Sequence, residues 1–136
     1  MGTDTLNALV SDAIWRAEEL EARKIPSASV AWAEVSSLEE ELAKAHPVSE
    51  SQGRIARRGA VRAALKARDY IRANALADEY IVEAPESLKA QLREILDEDA
   101  QAMASRFQFA SRRYSMADAQ GLALRFGKSG AFGMAA

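Results

Sequence analysis

The chain holds one histidine and no cysteine, so few of its side chains could act as bases, thiolate nucleophiles or metal ligands. His46 directly precedes Pro47, which predicts a helix end, where a cation interacts favourably with the free carbonyl groups. A di-iron Glu-x-x-His motif needs a glutamate three residues upstream of the histidine, whereas Glu41 is five residues away. We therefore interpret His46 as a capping or surface residue.

Three other patterns could carry chemistry but lack the partners that this chemistry needs. The acidic triplets at residues 39–41 and 97–99 fan around a helix instead of converging on a metal, so we interpret them as solvated or salt-bridged faces. Gly127-Lys128-Ser129 resembles the end of a phosphate-binding loop, but five residues instead of four separate Gly121 from Gly127. A serine nucleophile would need a histidine base in a recognisable arrangement. The sequence predicts no catalytic residue, cofactor or metal, and we do not expect an enzyme.

Charge is strongly segregated along the chain although the net charge is only −2. Residues 1–53 carry −6, residues 54–77 carry +6, residues 78–99 carry −6 and residues 100–136 carry +4. The distribution of charge, and not its total, is therefore the signal that bears on binding partners.

The basic block contains a ladder of cations at every fourth residue: Arg54, Arg58, Arg62 and Lys66. On one helix these like charges repel by a few tenths of a kcal/mol per step, roughly, so we expect an anion to offset them. Three sources are consistent with the pattern: acidic helices of the bundle or of another copy, nucleic-acid phosphate, or an acidic protein target. The sequence pI of about 5.5 and the acidic flanking blocks weigh against nucleic acid. We predict that all four cations bind a partner.

The composition predicts an all-α fold to hold these side chains. Alanine supplies 29 of 136 residues, whereas valine, isoleucine and threonine together number 14, too few for an ordinary β-rich domain. A membrane span of about 20 apolar residues does not occur. The N-terminus lacks the basic start and apolar core of a signal peptide, so we expect an intracellular protein.

Pro26, Pro47 and Pro85 divide the chain into helical blocks because proline cannot continue a helix. We predict a bundle of four to five mostly antiparallel helices. The expected boundaries are about Asp4 to Lys24, Ser27 to Ala45, Ser51 to at least Arg72, a short helix after a break near Asn74 that ends at Ala84, a long helix from Pro85-Glu86-Ser87, and a last one from Ser115 to about Phe126.

Apolar residues recur at alternating spacings of four and three in these blocks, which predicts one packed face per helix. Trp15 and Trp32 each lie one position off such a stripe, and we expect both to flank the core. We expect Phe107 to pack in the core. The stripes are Leu6, Val10, Ala13, Ala17 and Leu20; Ala31, Val35, Leu38, Leu42 and Ala45; and Leu96, Ala100, Met103, Phe107, Ala110 and Tyr114, widened by Leu88, Leu92 and Ile95.

The last ten residues differ in composition from the rest of the chain. We expect residues 1–126 to form a single helical domain and residues 127–136 a flexible or docking tail, because three glycines there make a helix costly. Phe132 and Met134 are apolar side chains in this tail, and we predict that they insert into a groove of a neighbouring subunit.

Few bulky apolar residues lie outside the stripes, so we expect assembly with copies or partners to bury more surface. The predicted function is a non-catalytic structural or adaptor subunit of a larger complex, of which a capsid-connector-like assembly component is one example. The alternatives are a helical nucleic-acid-binding protein that uses the basic helix, and a small regulatory or inhibitory protein that binds an acidic protein target.

Overall fold

The computed structural model describes the backbone of residues 2–129 and the side chains of residues 2–108. Phe132 and Met134 lie outside the described residues. The described residues form helices and no strand, so the predicted all-α bundle is confirmed. None of these helices is both long and apolar enough to cross a lipid bilayer. The helices are α1 (Thr3–Ala22), α2 (Ala28–Ala45), α3 (Ser51–Lys66), α4 (Tyr70–Val82) and α5 (Glu86–Ser129).

Helices α1 and α2 follow the predicted boundaries closely, and α2 buries most of its predicted face: Val35 and Leu42 are buried, and Ala31 and Leu38 are half-buried. The α1 stripe is confirmed for Leu6, Val10, Ala13 and Ala17, which are buried, and Leu20 is half-buried. In α2, Ala45 is exposed, and the buried positions spread over a wider arc because α2 packs against both α1 and α3. The buried residues of α2 are Trp32, Val35, Ser36, Glu39, Leu42 and Ala43.

The third helix ends earlier than predicted, and Arg72 belongs to α4. Helix α3 stops at Lys66, and Arg68 takes the left-handed conformation with φ 62°. The Asp69 carboxylate then accepts a hydrogen bond from the Arg72 backbone N–H at 3.1 Å, which caps the start of α4. The predicted break near Asn74 was therefore wrong. A positive φ at a residue other than glycine leaves no mark in the sequence, whereas the aspartate cap was a usable signal.

The fifth helix runs without a break from Glu86 through the predicted boundary at Ser115 to Ser129. The prediction of a separate last helix was wrong because a serine inside a helix costs little, and no proline follows Pro85. By contacts, the chain divides into two units, Met1–Asp97 and Glu98–Ala136. The first unit contains α1 to α4 and the beginning of α5.

The core of the first unit joins all five helices. Leu88 and Leu92 at the beginning of α5 are fully buried in the cluster that also contains Leu6 of α1 and Leu42 of α2. Alanines dominate the contribution of α3, which allows its neighbours to approach closely. One buried polar contact links three helices: the Ser36 hydroxyl donates to the Ala60 carbonyl at 2.8 Å and accepts from Arg72 Nε at 3.1 Å.

Candidate functional site

An open groove of about 340 Å³ runs along α3, where it faces α1 and α2. We call it the α3 groove. Its walls combine apolar side chains with three of the four cations of the basic ladder. The lining residues are Ile14 and Glu18 of α1; Trp32, Val35 and Glu39 of α2; and Ile55, Arg58, Gly59, Arg62, Ala63 and Lys66 of α3.

The cations of the α3 groove make few internal interactions. Arg58 Nη1 donates to Gln91 Oε1 at 3.0 Å, and Arg62 is exposed. Within the part of the chain whose side chains are described, no carboxylate oxygen lies within 4 Å of a side-chain nitrogen of Arg58, Arg62 or Lys66. Among the described residues, the anion expected from the sequence therefore forms no direct ion pair with these three cations.

The fourth cation of the ladder has a different position. Arg54 lies outside the α3 groove, and its Nη1 donates to the carbonyl oxygens of Val48 and Ser49 at 3.0 and 2.9 Å. These bonds hold the loop between α2 and α3, so Arg54 already satisfies backbone acceptors within its own chain. The structure thus brings together Arg58, Arg62 and Lys66 and separates them from Arg54.

Aromatic and aliphatic surface accompanies the cations. Trp32 is only 6 % exposed, its indole Nε1 donates to Glu21 Oε2 at 3.2 Å, and Lys66 Nζ lies 4.4 Å from the centroid of its ring. This cation–π contact orients the ammonium group at the groove surface. Ile55 remains 55 % exposed at the other end of the lining segment of α3. The groove can therefore contact a ligand that is both acidic and apolar.

The two tryptophans differ in environment. The prediction that both flank the core holds for Trp32 and was wrong for Trp15, which is 65 % exposed. Each tryptophan lies one position off its predicted stripe. Helix α2 has α1 on one side and α3 on the other, whereas the backbone of α1 comes close to that of α2 but not to those of α3 and α4. The number of neighbouring helices, which periodicity does not report, decides which flanking residue becomes buried.

Glu39 brings a buried carboxyl group into the groove wall. The residue is 7 % exposed, and burial raises its pKa from 4.5 to about 7. Across the groove wall, a β-carbon at Gly59 would lie 2.7 Å from Glu39 Cδ, so the glycine makes room for the carboxyl group. The interpretation of the 39–41 triplet as a solvated or salt-bridged face was wrong for Glu39. Its burial depends on the glycine of another helix, which the local pattern does not show.

The other two members of the triplet agree with the sequence-based interpretation. Glu40 Oε1 pairs with Arg72 Nη2 at 2.8 Å, and Glu41 Oε1 pairs with Lys44 Nζ at 3.4 Å. Within the side chains that the structure describes, no group of three or more histidine, aspartate or glutamate residues has the geometry to hold a metal ion.

We expect Glu39→Gln to stabilise the protein at pH 8 and to flatten its stability profile below pH 7. The raised pKa means that the folded chain binds a proton that the unfolded chain has released, so the free energy of unfolding falls as pH rises from about 4.5 to about 7. Water at the open groove screens part of the penalty, which leaves a gain of about 1 to 2 kcal/mol for the neutral amide at pH 8. Urea unfolding between pH 5 and pH 8 measures this difference.

Glu41→Gln is the matched control because it removes the same charge from an exposed ion pair. Its effect should stay within about 0.5 kcal/mol and should not vary across this pH range. Equal pH profiles for the wild type and Glu39→Gln would contradict the raised pKa of Glu39.

A second polar cluster joins the end of α2 to α3 and α4. His46 is the C-cap residue of α2, as the sequence predicted, and its Nδ1 lies 2.8 Å from Glu50 Oε2. Arg57 Nη1 donates to the carbonyls of His46 and Gly53 at 3.1 and 2.9 Å, and its guanidinium lies 5.6 Å from the Tyr80 ring centroid. Burial raises the pKa of Tyr80 to about 12.

Three side-chain atoms of this cluster have no hydrogen-bond partner among the described residues: His46 Nε2, Arg57 Nε and Tyr80 Oη. Each of these atoms is buried, although the three residues also line an open pocket of about 390 Å³, with Glu40, Glu79 and Glu83 among its other lining residues. The cluster fixes the junction of three helices, and the α3 groove is the better candidate for binding.

No protein-family model, curated protein or solved structure matches this chain. The α3 groove is therefore the feature of this protein that bears most directly on its function. Sequence reasoning selected three of its cations and missed Glu39, Ile55 and Gly59. A helical wheel with 3.6 residues per turn places Ile55 next to the ladder of cations. The groove itself, however, is formed only when the helices pack together.

Proposed function

We propose that the protein is a non-catalytic binding subunit of a larger assembly, and that its α3 groove receives an acidic, amphipathic helix of a protein partner. The observation that carries this proposal is that, among the described side chains, no carboxylate oxygen lies within 4 Å of a side-chain nitrogen of Arg58, Arg62 or Lys66. Cations spaced by one helical turn, beside an aliphatic wall, suit carboxylates and apolar side chains at the same helical spacing.

The apolar wall favours a protein partner over nucleic acid. The accessible apolar side chains of Ile14 and Ile55 offer a phosphate backbone nothing to bind, whereas they suit leucine-like side chains of a helix. The Glu18 carboxylate also lines the groove and repels any anionic partner, but it opposes the closely spaced charges of a phosphate backbone more than the scattered carboxylates of a helix. Binding to an acidic protein segment needs fewer anions and more apolar contact.

The test uses a designed helical peptide of about 14 residues, with leucines at four-three spacing flanked by glutamates, whose sequence is unrelated to this chain. In a Trp15→Phe background, Trp32 is the only tryptophan and reports from the groove wall. We expect saturable binding that is about tenfold weaker in the groove variant, Arg58→Gln/Arg62→Gln/Lys66→Gln, because each exposed charge contributes about 0.5 kcal/mol.

The control variant, Arg16→Gln/Arg23→Gln/Lys44→Gln, removes the same number of charges from exposed ion pairs outside the groove. It should bind the peptide within about twofold of the wild type. An equal loss of peptide affinity in both variants would mean that net charge alone causes the effect, and it would reject the α3 groove as the binding site. The wild type could instead bind a 20-nucleotide DNA more strongly than the peptide, with an affinity that falls steeply with salt and a shallower salt dependence in the groove variant. That result would show that the cations bind nucleic acid.

A further inference from the structure

The α5 segment, which we define as residues 97–108, leaves an apolar stripe uncovered by the described residues. Met103 is 38 % exposed and Phe107 is 74 % exposed, although both belong to the four-three stripe that the sequence predicted as core. A helix surface of this kind in water is a candidate for contact with another chain.

The same segment begins with three consecutive carboxylates. At about 100° per residue, Asp97 and Asp99 lie about 80° to either side of the line through Phe107, and Glu98 lies opposite it. The apolar stripe is therefore flanked at its N-terminal end by an acidic residue on each side. This is the pattern of charge and apolar surface that the α3 groove is proposed to bind.

We infer that the α3 groove of one copy binds the α5 segment of a second copy, so that the chain is its own partner; this inference rests on the proposed function. Charge complementarity supports it, because the groove cations Arg58, Arg62 and Lys66 would meet a stripe that Asp97 and Asp99 flank. One copy thus supplies the anions that the groove cations lack among the described residues.

The lengths of the two surfaces also agree. From Ile55 to Lys66, the lining segment of α3 covers about 16 Å, and from Asp97 to Phe107 the α5 segment covers about 15 Å. With the carboxylates near Lys66 and Arg62, Phe107 reaches the exposed Ile55. The α5 segment therefore runs antiparallel to the α3 helix that receives it.

Each copy carries one groove and one segment, so the contact joins different surfaces of the two copies. Such a head-to-tail interface repeats from copy to copy and generates a ring where the rotation closes, or a filament where it does not. A symmetric pair of α5 helices would instead stop at a dimer. This difference in stoichiometry makes the inference testable in solution.

The experiment combines the groove variant with a segment variant, Asp97→Asn/Asp99→Asn/Phe107→Gln, in the full chain. Sedimentation at about 100 μM should show the wild type as species larger than a dimer and each variant alone as a monomer, about tenfold or more weakened in self-association. An equimolar mixture should form a one-to-one dimer and nothing larger, because only one intact groove and one intact segment meet.

Two controls separate lost binding from lost folding. Both variants should keep the wild-type helix content by circular dichroism, since the substituted side chains are exposed or lie at the groove surface. Arg58→Lys/Arg62→Lys/Lys66→Arg, which keeps the charges, should assemble within about threefold of the wild type.

Three outcomes would overturn the inference. A monomeric wild type at this concentration would do so, as would a mixture that stays monomeric. A groove variant that assembles like the wild type would assign self-association to α5 pairing. In each case, binding of the designed peptide to the segment variant tests the proposed function separately. If the peptide still binds, the proposed function stands with a different partner. If it does not bind, both the proposed function and the copy-to-copy contact are rejected.

Discussion

Replacing Leu92 by alanine should lower the free energy of unfolding by about 3 kcal/mol, whereas Phe107→Ala should change it by less than about 0.5 kcal/mol. Leu92 is fully buried in the core of the first unit, while Phe107 is largely exposed. Urea unfolding followed by circular dichroism measures both values. Both substitutions should be made in the groove variant, because self-association of the wild type would add to the measured stability.

This pair tests the structure against the sequence pattern, because periodicity assigned both residues to one apolar face of the same helix. Equal costs for the two substitutions would mean that Phe107 is covered within the monomer. That result would also remove the exposed stripe on which the proposed copy-to-copy contact depends.

Gly53→Ala should destabilise the protein by about 2 kcal/mol, even though alanine is the better helix former by about 1 kcal/mol. A β-carbon at position 53 would collide with the carbonyl group of Pro47, which is backbone and cannot rotate away. It would also approach Arg57 Nη1 at 2.9 Å and disturb the hydrogen bonds at the junction of α2 and α3. Thermal unfolding monitored by circular dichroism measures this cost.

Gly59→Ala is the matched control in the same helix. Its β-carbon would meet the Glu39 carboxyl group, which lies at the end of a flexible side chain and can turn toward the open groove. We expect a change within about 1 kcal/mol of the wild type, with the helix-propensity gain offsetting the repacking. A stabilising Gly53→Ala would contradict the close approach of the Pro47 carbonyl.

The local sequence pattern predicted only part of the α3 groove. The spacing of Arg58, Arg62 and Lys66 placed them on one helical face, because that spacing matches the helix repeat. Whether a carboxylate of the same chain pairs with these cations depends on which side chains of the other helices pack close to α3. The described structure leaves them without an ion pair within 4 Å, and it gives Arg54 a separate role at the loop before α3.

The sequence by itself determined the helical class, the proline-marked boundaries at Pro26, Pro47 and Pro85, and the buried stripe of α1. These follow from local physics: helix propensity, the missing N–H of proline and the period of the helix act within a few residues.

Only the tertiary structure decided the burial of Glu39, the left-handed turn at Arg68 and the exposure of Phe107. Each depends on contacts between residues far apart in sequence or on a backbone conformation that no residue type dictates. Periodicity shows which residues share a face of a helix, but whether that face is covered depends on which other helices pack against it.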